Sequence, residues 1–180
     1  MFSRLSILKS VIKKALKGRL KCAIEEGLVC GNNVTAMGGV NFGSEPYLIT
    51  LHDNVRLSFG VTFITHDGGN HAFIWNERYK NKGIHSFGKI EVGENTFIGA
   101  NAIIMPNVYI GKNVVIGSGA LVTRSIPDDS IAVGIPARVI GNIWDYAEKT
   151  KNEMPSNWNE EVFSNNKKEY LIKAIPSPKF

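Results

Sequence analysis

The chain has 180 residues, 43% apolar and 21% charged, which suits one domain with a real core. No apolar run approaches the ~20 residues that cross a bilayer, and Cys22 and Cys30 form no CxxC pair, which argues against a disulfide framework or thiolate metal site and suits a reducing cytoplasm. Net charge is +5, but residues 1–21 carry seven basic residues and no acid, so the remainder sums to −2 and is no nucleic-acid binder by charge.

Residues 1–27 open the chain as a basic helix. Phe2, Leu5, Leu8, Ile12, Leu16 and Leu20 step by three and four. Lysines interrupt every apolar core that a signal peptide would need. Two readings stand: a helix that caps the first layer of the fold, or a peripheral contact with the anionic inner face of a membrane.

From Val92 the sequence parses into six hexads: VGENTF, IGANAI, IMPNVY, IGKNVV, IGSGAL and VTRSIP. The first position is always branched and apolar (Val92, Ile98, Ile104, Ile110, Ile116, Val122), and Gly fills the second in four of the six. The fifth is Thr96, Ala102, Val108, Val114, Ala120 and Ile126. Such a period means a short strand, a tight corner with Gly, Asn or Pro, and repetition, with positions one and five inside. Three sides close one coil, and coils stack as parallel strands about 4.8 Å apart.

The period recurs upstream in CGNNVT, AMGGVN and FGSEPY, slips by three, and resumes in LHDNVR, LSFGVT and FITHDG. Downstream, VGIPAR (133–138) fits once more. Residues 69–85 have no six-fold phase and are expected as a loop thrown out of the stack, which makes them candidates for function. The β-helix thus runs over 28–141. Residues 142–180 form a helical extension, with one helix ended near Pro155 and a second reaching about Leu171, packed on the outside of the stack.

The stretch FITHDGGNHAFIW (63–75) leaves two chemistries open. His66 could serve as a general base, or His66 and His71 could be metal ligands. Zinc hydrolysis needs three neutral imidazoles and an open position, so His52 or His85 would have to join them. A nucleophilic mechanism has no GxSxG elbow or activated cysteine to use.

The hexads, with IGKNVVIGSGALVTRSIPDDSIAVGIPARVIG, resemble the hexapeptide-repeat acyltransferases. Their sugar O-acetyltransferase branch (galactoside, maltose, capsular and O-antigen enzymes) is the most similar. The resemblance implies an all-β, left-handed parallel β-helix, against the usual right-handed crossover. It also implies a homotrimer with active sites between subunits, and acetyl-CoA as donor with no metal. His66 matches the family's base. Ala100, Ser118, Thr123, Arg124 and Arg138 match its coenzyme contacts, with Arg at 124 where the family often has Lys. His71, Trp75 and His85 are candidates for acceptor contact.

The implied activity is O-acetylation of a saccharide in cell-surface polysaccharide biosynthesis (capsule, O-antigen or exopolysaccharide), by direct attack in a ternary complex. Location is expected to be cytoplasmic, or peripheral on the inner membrane face. An amino-sugar N-acetyltransferase is the alternative, although no nucleotide-sugar-binding α/β domain precedes the repeats here. A γ-class carbonic anhydrase and a non-catalytic β-helix scaffold complete the set. For Asp67 as the group that orients His66, adjacency on an extended chain points the two side chains apart. A backbone carbonyl or a distant carboxylate stands beside it.

Overall fold

In the computed structural model, residues 18–155 and 158–175 are described. The basic segment 1–17 lies outside them. The first described helix, α1 (Arg19–Glu25), buries Cys22 and Ala23.

The next strands are β1 (Val29–Cys30), β2 (Thr35–Ala36), β3 (Ile49–Leu51), β4 (Arg56–Leu57) and β5 (Thr62–Phe63). After them come β6 (His66–Asp67), β7 (Ser86–Phe87), β8 (Ile90–Val92), β9 (Phe97–Ile98) and β10 (Ile103–Ile104). The last five are β11 (Val108–Ile110), β12 (Val115–Ile116), β13 (Leu121–Val122), β14 (Ser130–Val133) and β15 (Arg138–Asn142). The chain lays these strands onto three sheets in rotation. One sheet is ordered β1-β3-β8-β11, the second β2-β4-β9-β12-β14-β15, and the third β5-β10-β13. Every pairing in them is parallel except β14 with β15.

Register reads out coil length. Ile90 faces Val108 and Ile103 faces Leu121, steps of 18 residues, or three hexads. Val29 faces Thr50, a step of 21, and the three additional residues match the expected slip, near the 3-10 turn Pro46–Leu48. Ile49 faces Ile90, a step of 41, so 23 residues beyond a coil (41 − 18) are inserted there.

The hexad positions divide labour by sterics. All six first-position residues, Val92 through Val122, are fully buried, and so are Ala102, Val114 and Ala120 of position five. Burying each Ile or Val is worth ~1.5–3 kcal/mol. A Cβ on Gly99 would lie 2.6 Å from the Ser118 nitrogen of the next coil, so position two admits nothing larger where coils touch.

Position four turns the corner. Asn33, Asn54, Asn95 and Asn113 take φ of 54 to 60°, the left-handed region that Asn tolerates best after Gly. Their amides also stack into a ladder, Asn33 to Asn54 (3.0 Å), Asn54 to Asn95 (2.9 Å), Asn95 to Asn113 (3.1 Å), ending on Asp129 (2.8 Å).

The stack ends differently from its periodicity. VGIPAR does not add another coil side. After β14, Gly134 (φ 97°) turns the chain, and β15 returns antiparallel to β14. The hexad spacing holds over those residues, but a reversal there gives the last coil a cover.

The described residues from Trp144 onward form a second compact unit. Helix α2 (Ile143–Glu153) enters it and stops before Pro155. The expected second helix is two, α3 (Glu160–Asn165) and α4 (Lys167–Ala174), because Asn166 (φ −143°) leaves the helical region between them. Asn159 caps α3 through Val162 N–H at 2.9 Å, and Trp158, Phe163 and Tyr170 pack as an aromatic cluster. Among the described residues, no helix is long and apolar enough to cross a membrane.

Candidate active site

The inserted segment leaves the stack after β5. Its neck is the antiparallel pair β6–β7, with His66 opposite Phe87 and Asp67 opposite Ser86. Gly88 N–H then donates to Thr65 O at 2.8 Å, and the chain rejoins the coil. The loop is thus attached to the stack through a hydrogen-bonded neck, and His66 belongs to that neck.

One carboxylate holds the His66 ring in place. Glu45, at position four of the FGSEPY hexad just before the slip, accepts from Thr65 Oγ1 at 2.7 Å and pairs with His66 Nδ1 at 2.9 Å. Thr65 is buried and the Glu45 side chain nearly so (15% exposed), while that of His66 is 46% exposed. The Thr65 hydroxyl, more than any other contact, holds the Glu45 carboxyl below the usual glutamate range; burial opposes this and the His66 contact adds to it. With Glu45 ionised, Nδ1 is the donor, so the neutral ring carries its lone pair on Nε2. That tautomer can take a proton from a hydroxyl.

Glu45 settles which of the open choices orients the ring. Asp67 instead accepts from Gly69 N–H at 2.8 Å and caps the 3-10 turn Gly68–Ala72. Nothing in the sequence near His66 pointed to Glu45, which lies 21 residues upstream. The signal that could have found it is its place in FGSEPY, where an acid stands at the corner position that Asn or Gly fills in most other hexads.

Glu45, His66, Asp67, Gly68, Asn70, His85, Ser86 and Phe87 line a cleft of about 310 Å³. His85 reaches it from the returning strand, with Nδ1 3.4 Å from the Asn70 amide. His71 does not line it; its ring meets the Trp75 indole edge-on at 6.4 Å. Trp75 lines an adjoining hollow that shares Asn70 and His85 with the cleft. Among the described residues no group of three His, Cys, Asp or Glu side chains converges on a point.

The five expected coenzyme residues stand elsewhere on the same chain. Ala100 and Ser118 occupy one corner in consecutive coils, where Gly119 N–H donates to Ala100 O at 2.8 Å. Thr123 and Arg124 follow β13 and are exposed, and exposed Arg138 donates to Ala137 O at 2.8 Å. None of the five lines the His66 cleft.

A stack of parallel hexapeptide coils with one loop thrown out beside a buttressed histidine defines a hexapeptide-repeat protein. The family model described as bacterial transferase hexapeptide (six repeats) matches residues 89–124. Protein CapG of Staphylococcus aureus is 42% identical over 139 residues, 77% of each chain. The chain belongs to the hexapeptide-repeat transferases.

Galactoside O-acetyltransferase of Escherichia coli K12 is 40% identical over 101 residues, 56% of this chain and 47% of that one. A maltose O-acetyltransferase from Clostridium difficile 630 superposes with a TM-score of 0.57 at 35% identity, over 65% of this chain and 59% of that one. The chain thus spans about half the length of these two proteins.

Proposed function

We propose that this protein is an acetyl-CoA-dependent O-acetyltransferase that acetylates a hydroxyl of a saccharide, with His66 as general base. The observation that carries the reading is the Glu45–His66 pair at the base of the cleft, with Nδ1 engaged and Nε2 basic. The likeness to galactoside and maltose O-acetyltransferases supports acetyl transfer to a sugar hydroxyl, and the 42% identity to CapG stands beside it. A role in cell-surface polysaccharide biosynthesis follows from the sugar-hydroxyl reading and is our inference.

The mechanism needs no covalent enzyme intermediate. With thioester and sugar bound together, Nε2 takes the hydroxyl proton as the oxygen attacks the acetyl carbon, and the tetrahedral adduct collapses to the ester and the coenzyme thiol. The proton returns through the imidazolium to the leaving sulfur. General-base help contributes ~10²–10⁴ in rate. Holding the two reactants in line contributes the larger share.

We read Ala100, Ser118, Thr123, Arg124 and Arg138 as the coenzyme contacts. Small side chains at a coil corner leave room for the pantetheine arm, and the guanidinium groups suit phosphate oxygens. His71, Trp75 and His85 are read as acceptor contacts.

The homotrimer belongs to the same proposal. The donor and base sets stand apart on one chain, and a neighbouring subunit would bring a second donor corner to the His66 cleft. The exposed apolar side chains Phe59, Phe87, Phe97 and Ile103 are suited to such contacts. Left-handed coiling is proposed on family likeness. A cytoplasmic site of action suits the donor, and contact with the inner membrane face through the basic segment 1–21 extends it. The test is calorimetry with acetyl-CoA followed by thiol release on a sugar panel. Saturable binding with sugar-dependent release supports the reading, and no binding at millimolar coenzyme overturns it.

A further inference from the structure

The inserted loop builds a second cavity that the transfer chemistry does not need. Asn70, Trp75, Tyr79, Lys80, Lys82 and His85 are among the walls of an open hollow of about 280 Å³ next to the His66 cleft. The two spaces meet at Asn70 and His85. The walls are fixed by the loop's own interactions. Phe73 packs edge-on against Tyr79 at 5.4 Å, Asn70 Nδ2 donates across the loop to Ile84 O at 2.9 Å, and Asn81 and Gly83 turn the chain at φ near 60°.

Two features of the lining are chemically specific. Trp75 is 71% exposed, held on one side by His71, and offers a large flat apolar surface to the cavity. The C–H face of a pyranose ring matches such a surface, because stacking dries apolar atoms while the hydroxyls stay wet. The second feature is charge. Residues 69–85 carry Arg78, Lys80 and Lys82 against Glu77, a net of +2, while residues 22–68 and 86–180 together carry −4. Within this basic loop Lys80 pairs with Glu77 at 3.4 Å and Arg78 lies over the Tyr79 ring. Lys82 pairs with no carboxylate among the described residues and lines the cavity. One uncommitted ammonium matches a single negative charge.

We propose that this cavity is a second sugar subsite, in which Trp75 stacks on a pyranose and Lys82 reads the carboxylate of a uronic acid. The acceptor is then an acidic oligosaccharide that places one residue at His66 and the next in the loop. The proposal rests on the saccharide reading of the His66 cleft and adds the length and charge of the acceptor. The shared Asn70 and His85 mark where the linkage between the two sugars passes. A carboxylate matches the single unpaired ammonium, whereas a phosphate dianion would have to draw Lys80 from its exposed contact with Glu77, and the phosphate arm of the test decides between them.

The test is a binding measurement on the full-length protein. Cellobiose, its uronic-acid counterpart ending in glucuronate, and cellobiose 1-phosphate are titrated by saturation-transfer difference NMR and calorimetry at low salt. The uronate disaccharide should bind about three- to fivefold more tightly than cellobiose, the size expected of one exposed ion pair, and added salt should erase the margin. Lys82→Gln should remove that margin and leave cellobiose binding intact, and Trp75→Ala should weaken both disaccharides. Equal binding of the two, binding of neither, or a margin that survives Lys82→Gln overturns the subsite. Tighter binding of the phosphate overturns the uronate assignment. Acetyl-CoA titrated in parallel reports on the transferase reading by itself, since a failure there leaves the disaccharide result readable.

Discussion

The coil stack and the loop it throws out obey opposite rules. In the stack every position of the hexad is dictated by its neighbours above and below, with branched residues inside, Gly at contacts and Asn at corners. In the loop only the neck is dictated, and the rest is closed on itself by Phe73, Tyr79 and Asn70. The buried core lies in the stack, the proposed acceptor contacts lie in the loop, and His66 and Glu45 stand on the seam. Mutations should separate the two regions cleanly.

The largest effects on stability belong to the ladder. Ile104→Ala should cost ~2–5 kcal/mol, read as a lower midpoint in denaturant with an unchanged slope. A loss under about 1 kcal/mol would mean that the coils repack freely, contrary to the layered core. Asn95→Ala strips two ladder hydrogen bonds and leaves an alanine at φ 58°. The expected cost is ~1–3 kcal/mol, and Asn95→Gly should recover the backbone part.

The loop should behave in reverse. Replacing residues 70–83 with a short Gly-Ser link, and keeping the neck, should shift stability by about 1 kcal/mol or less, since loop closure depends weakly on length. Sugar-dependent turnover should vanish while acetyl-CoA still binds. A collapsed stack would show the loop to be structural.

The seam gives the smallest stability effect and a pH signature. Glu45→Gln keeps the volume and removes the charge that orients His66, and kcat should fall by at least about 10-fold and by no more than the ~10²–10⁴ of general-base catalysis itself. The folded Glu45 carboxyl titrates below its ordinary value. Its stabilisation is therefore full above the ordinary glutamate pKa and is lost as pH falls through the folded value. The stability gap between wild type and Glu45→Gln should close on acidification. A gap constant down to the acid limb would show that its charge does not stabilise the fold.

The same division explains what could be read before the structure. The hexads were legible because close stacking restricts each position to a few residue types, and so was the point where the phase breaks. The neighbourhood of His66 was legible only in part. Its partner, Glu45, comes from the preceding coil, 21 residues upstream, and in the sequence looks like any surface acid. Periodicity misled at VGIPAR, where the hexad spacing is present but the backbone reverses at Gly134. It was blind to Asn166, because a single residue outside the helical region within a polar helical stretch leaves no pattern.

The most direct test of the account is the turnover of His66→Ala with acetyl-CoA and a saccharide acceptor, beside calorimetry of the coenzyme. The account predicts a kcat lower by at least ~10², the low end for loss of a general base, with coenzyme affinity unchanged. An unaltered kcat would contradict it and remove His66 from the chemistry.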